Sequence, residues 1–118
     1  MKLKVSGVPV GQYNAIFNGA EPRAADDKLG YGPGMLWKFI VEGTAYDGQE
    51  VGRITGDSPT GKNACGKFVK AIAGALPQVG VEIDINKFVG QRYSILVEET
   101  QSGSTRVATA VALQGGNL

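Results

Sequence analysis

The sequence predicts a mostly β domain, with five short strands and a single helix between the third and fourth. Three observations carry that expectation. Apolar and polar residues alternate with period two in five short segments. One segment, at about residues 62–76, instead repeats its apolar residues every three or four positions. Glycine makes up 18 of 118 residues, about twice the usual share of about 7%, and is spread as punctuation between the patterned segments.

The first strand runs from Gln12 to Phe17, with Tyr13, Ala15 and Phe17 on one face. Asn18-Gly19 breaks it and opens a long loop over residues 18–34, rich in Gly, Pro and Asp. Met35–Glu42 is the clearest strand: Met35, Trp37, Phe39 and Val41 on one face; Leu36, Lys38, Ile40 and Glu42 on the other. Tyr46-Asp47-Gly48 signals a turn. Glu50–Thr55 is the third strand, with Val51, Arg53 and Thr55 opposite Gly52 and Ile54. The helix places Cys65, Phe68, Val69, Ile72 and Leu76 on one stripe, with Thr60 or Asn63 as its cap and Pro77 as its end. Gly66 and Gly74 weaken such a helix by about 1 kcal/mol each, so packing must hold it. An apolar turn, Asn86–Gly90, leads into a fourth strand carrying Tyr93, Ile95 and Val97. After the hairpin loop Gln101–Ser104, a fifth strand sets Val107, Thr109, Val111 and Leu113 against Ala108, Ala110 and Ala112.

Composition narrows the function. There is no histidine, which removes Ser-His-Asp and Cys-His catalysis and His-ligated metals. The one cysteine, Cys65, excludes an internal disulfide and a zinc-binding Cys cluster; on the apolar stripe it reads as a small core residue. No apolar run reaches membrane-spanning length, and the start is not a signal peptide, so a cytoplasmic protein is expected. With 12 Lys+Arg, 11 Asp+Glu and net charge +1, bulk charge does not mark a nucleic-acid binder. Locally, Lys62, Lys67 and Lys70 are the only charges between Asp57 and Glu82, which reads as a solvated face or a local positive surface.

The order β-β-β-α-β-β is that of the OB-fold, a five-stranded barrel that binds oligonucleotides or oligosaccharides across its second and third strands. The expectation is one OB-like domain over residues 1–118, with short flexible ends; an open α+β sheet of the same order remains the alternative. On the binding face, Lys38 and Arg53 sit on adjacent strands, and both are expected to project from the outer surface. Arg23 and Lys28 line the first long loop, and Arg106 follows the last hairpin. Tyr31, in Gly30-Tyr31-Gly32-Pro33-Gly34, is the aromatic placed to close onto a base, with Trp37 as a second stacking candidate. Phe17, Trp37, Phe39 and Phe68 otherwise read as core.

Gly56–Asn63 fits the phosphate-loop pattern G-x-x-x-x-G-K between a strand and a helix. Asn63 stands where the magnesium-holding Ser/Thr belongs, and one strand-helix unit does not make a nucleotide fold. A capped turn, or milder anion binding by backbone N–H groups, is the better reading. Asp26-Asp27 reads as solvated rather than metal-binding. Glu98 and Glu99 point to opposite faces, unlike a catalytic pair. No enzyme mechanism and no cofactor emerge.

Gly11-Gln12-Tyr13-Asn14-Ala15, Glu21-Pro22, Trp37–Gly43 and Phe88-Val89-Gly90-Gln91-Arg92-Tyr93 together resemble a family of small phage and prophage proteins, over roughly residues 10–100. The resemblance implies an OB-like barrel that binds single-stranded DNA in replication or recombination. The last residues, Gln114–Leu118, carry no acid, so the acidic partner-recruiting tail common among such proteins is not expected. The leading expectation is non-enzymatic, sequence-tolerant binding of single-stranded DNA, with replication or recombination proteins as further partners. A β-barrel interaction module of a virion or assembly is the alternative. Pairing of copies through an edge strand stays open.

Overall fold

The computed structural model describes residues 8–25, 32–76 and 78–113. Among them are strands β1 (Gly11–Arg23), β2 (Gly34–Glu42), β3 (Glu50–Gly56), β4 (Arg92–Glu99) and β5 (Thr105–Ala112), helix α1 (Ala64–Ala73), and a short 3₁₀ turn, Ile85–Phe88. The element order is therefore the expected one. The chain is mostly β, with one five-stranded antiparallel sheet ordered β3-β2-β1-β4-β5. Backbone pairing does not close the sheet, which leaves β3 and β5 as its edges. The edges are linked by a side chain: Arg53 Nη1 donates to the Val107 carbonyl at 3.1 Å.

The β2 alternation holds: Trp37, Phe39 and Val41 are buried on one face. They join Phe17, Tyr93 and Phe68 in an aromatic core, with Phe17–Phe39 and Trp37–Phe68 ring centroids each 5.5 Å apart. Helix α1 covers this face with Cys65, Phe68, Val69 and Ile72. Asn63 caps it, accepting from the Gly66 amide, and Gly74 ends it in the left-handed conformation at φ +87°. The helix is thus shorter than its periodic pattern, because the cap and the left-handed glycine act before the apolar stripe runs out. Pro77 lies outside the described residues. The Tyr93 hydroxyl donates to the Ile72 carbonyl at 2.8 Å and so ties the last turn of the helix to β4.

Two strands depart from expectation. β1 does not stop at Asn18-Gly19 but continues to Arg23. Gly19, at φ +106°, absorbs an irregularity between Phe17 and Ala20. Asn86 stands in for a neighbouring backbone there: its Oδ1 accepts from the Ala20 amide at 2.7 Å, and its Nδ2 donates to the Ala20 carbonyl at 3.0 Å. The second departure is the phase of β5. Leu96 pairs with Thr109 but Val97 pairs with Val107, so Ala108 is an extra residue. That bulge shifts the alternation by one, so Val107 and Ala110 face the core while Val111 is exposed.

Candidate nucleic-acid interface

An open groove of about 630 Å³ runs between the β2–β3 pair and the β4–β5 hairpin. Leu36 from β2 and Gly52–Gly56 from β3 form one side. Arg23, at the end of β1, lines the groove together with Gly32 and Pro33. Across from them stand Thr100, Ser102, Ser104, Thr105 and Arg106 of the hairpin. Gly52 keeps the β3 side low: a Cβ there would lie 2.9 Å from the Trp37 carbonyl oxygen and 3.3 Å from the Leu36 side chain. The hydroxyls of Thr100, Ser102 and Ser104 form a closed cluster, with separations of 2.9, 2.8 and 3.3 Å.

The groove brings together Arg23, Arg53 and Arg106, three of the residues expected from sequence. Their settings differ. Arg53 is largely buried, with a side chain 15% exposed. Its Nη1 bonds the Val107 carbonyl and lies 3.7 Å from Glu98, and its guanidinium sits 5.9 Å from the centre of the Phe68 ring. The buried Arg53 Nε has no partner. Burial, and next the charge of Arg106, pull the Arg53 guanidinium below its usual value, while Glu98 opposes them. Arg53 is therefore a bolt between the two sheet edges. Arg106 is an accessible cation: its side chain is 45% exposed, and its Nε donates to Glu98 Oε1 at 2.7 Å.

Lys38 and Arg53 do not share a face, contrary to the sequence expectation. Trp37 pairs with Arg53 and Lys38 with Gly52, so Arg53 points to the Trp37 side. Alternation within each strand was legible, but the register between strands was not. Lys38 lies on the Leu36 face, two residues along from the groove, and forms a 3.3 Å ion pair with Glu21. Trp37 is also corrected as a stacking residue. It is 1% exposed, and its Nε1 donates to Thr55 Oγ1 at 2.9 Å, so neither ring face is open to a base. Tyr31 and Lys28 lie outside the described residues, as do Asp26-Asp27 and both chain ends. None of the described groove residues is aromatic.

The phosphate-loop pattern resolves into a self-capped helix start. Asn63 Oδ1 accepts from the Thr60 and Gly66 amides at 3.1 and 2.8 Å, and its Nδ2 donates to the Ser58 carbonyl. Thr60 Oγ1 accepts from the Lys62 and Asn63 amides. Four of the N–H groups along this loop, those of Thr60, Lys62, Asn63 and Gly66, are thus already engaged. Cys65 is buried, and burial, more than anything else, pushes its thiol up, so it is a core residue. Lys62, Lys67 and Lys70 are exposed and do not line the groove. No described helix is long and apolar enough to cross a membrane.

Sequence reasoning missed Glu98 as the partner of two arginines and the hydroxyl cluster of the hairpin loop. The alternating hydroxyls Thr100-x-Ser102-x-Ser104, directly after Glu98-Glu99, were the available signal for the cluster, and the hairpin loop between Glu98 and Arg106 was the signal for their pairing. A scan of protein-family models, a search of curated proteins and a search of solved structures each find no match to this chain.

Proposed function

We propose that this protein is an OB-like, non-enzymatic module that binds single-stranded DNA in the groove between β2–β3 and the β4–β5 hairpin. One observation carries the reading. Arg23, Arg53 and Arg106, distant in sequence, converge on one groove beside the second and third strands. OB-fold proteins take oligonucleotides at that place, between the first and last inter-strand loops. Arg106 and Arg23 serve the phosphates, the Thr100–Ser104 hydroxyls add neutral donors, and Leu36 and Ile54 offer apolar contact to bases. Lys38 extends the positive track along the same face as Leu36. Tyr31 directly precedes Gly32 of the groove and remains the proposed stacking residue. The resemblance to small phage proteins supports a role in phage replication or recombination.

The competing reading is an interaction module, favoured by the exposed Leu96 and Val111 and the near-neutral charge. Fluorescence anisotropy of a labelled oligothymidine, beside duplex DNA of matched length, separates the two. Salt-sensitive preference for the single strand is expected. Absence of binding to either at tens of micromolar protein, roughly the weakest affinity such a module needs, overturns the proposal.

A further inference from the structure

A carboxylate beside the groove, Glu98, holds one of the arginines that line it. Glu98 and Arg106 are direct cross-strand partners on β4 and β5, and their side chains meet at 2.7 Å. Both are exposed to solvent, at 40% and 45%. The same Glu98 oxygen lies 3.7 Å from Arg53 Nη1. Arg53 has other anchors, the Val107 carbonyl and the Phe68 ring. For Arg106, Glu98 is the hydrogen-bonded partner the structure shows.

We propose that Glu98 is a built-in competitor with the ligand's phosphates for Arg106, and that a phosphodiester enters the groove by taking Arg106 from it. This rests on the groove being the nucleic-acid site. The exchange is easy on physical grounds. An exposed ion pair of this kind shifts an equilibrium by about fivefold or less, whereas a phosphate offers the guanidinium a two-pronged, charge-assisted partner. Arg53, largely buried and anchored elsewhere, stays in place. Glu98 thereby sets a fixed cost for any anion that takes Arg106, and a ligand with several phosphates offsets that cost through its other contacts in the groove. A polyanionic strand is the ligand class that such a site selects.

The test uses the full chain and four variants: Glu98→Gln, Glu99→Gln, Arg106→Ala, and Glu98→Gln combined with Arg106→Ala. Each is titrated with labelled oligothymidine and, separately, with inorganic tripolyphosphate, and each is melted. Glu99 is the neighbour on the opposite strand face, so Glu99→Gln makes the same charge change away from Arg106. The expected result is that Glu98→Gln tightens both probes by about three- to fivefold, that Glu99→Gln does so by less than half that factor, and that the gain disappears without Arg106. Equal gains from Glu98→Gln and Glu99→Gln overturn the proposal, because bulk charge then explains them. Weaker binding by Glu98→Gln also overturns it, and shows that Glu98 positions the arginines. If tripolyphosphate follows the expected pattern while oligothymidine does not bind any variant, the competitor role stands and the nucleic-acid reading falls. Binding of neither probe by any variant overturns both.

Discussion

Replacing Trp37 with phenylalanine separates the core role of this residue from a base-stacking role. The indole is 1% exposed, packs against Phe68 and Phe17, and donates to Thr55 Oγ1. The smaller ring leaves about 40 Å³ unfilled, which at about 24 cal/mol per Å³ costs about 1 kcal/mol. The lost hydrogen bond adds about 1 kcal/mol. Thr55 Oγ1 still donates to the Gly56 carbonyl at 2.7 Å, so no larger desolvation cost follows. The total is about 2 kcal/mol, or a fall in melting temperature of roughly 8 °C for a domain of this size. Thermal denaturation followed by circular dichroism measures it. Oligothymidine affinity, measured well below the transition, should stay within about twofold of the parent. An unchanged melting temperature combined with a large loss of affinity refutes this reasoning and returns Trp37 to the binding surface.

Gly66→Ala should destabilise the protein by at least about 1 kcal/mol, although alanine favours an exposed helix by about that amount. A Cβ at Gly66 would overlap the Thr60 backbone carbonyl, which the Asn63 cap holds in place. Gly61→Ala, with open space around it, should change stability by less than about 0.5 kcal/mol when both variants are compared by denaturant titration. Tyr93→Phe loses the bond to the Ile72 carbonyl and should cost about 1 kcal/mol at neutral pH. Burial raises the Tyr93 hydroxyl above its ordinary value of 10.0. The stability it contributes is therefore complete below pH 10 and is lost as pH rises through the folded-state value. The gap between parent and variant should close above pH 10 in alkaline melts; a gap that stays constant contradicts the buried hydroxyl.

Local rules read much of this fold, and non-local ones account for the differences. The alternation in β2 and the Asn63 cap depend on neighbours in sequence, and both are where the pattern places them. The course of β1 past Gly19 depends on Asn86, 66 residues from Ala20, and no local signal reports that pairing. The face of Val107 depends on the bulge at Ala108, which only the partner strand defines. Arg53 and Lys38 show the same limit within the candidate site: each strand's period was clear, but a register of Trp37 with Arg53 put them on opposite faces. The arginines themselves were visible as residues. Their division into a buried bolt and an accessible cation arises from how the two sheet edges approach, as does the part played by Glu98.

The most direct test is the salt dependence of oligothymidine binding for the parent, Arg106→Ala, and Arg23→Ala combined with Arg106→Ala. If these arginines neutralise phosphates, the slope of log affinity against log salt should become shallower by about 0.7 for each arginine removed, with melting temperature little changed. A slope that stays the same across all three proteins contradicts the claim that this groove is where a nucleic-acid strand binds.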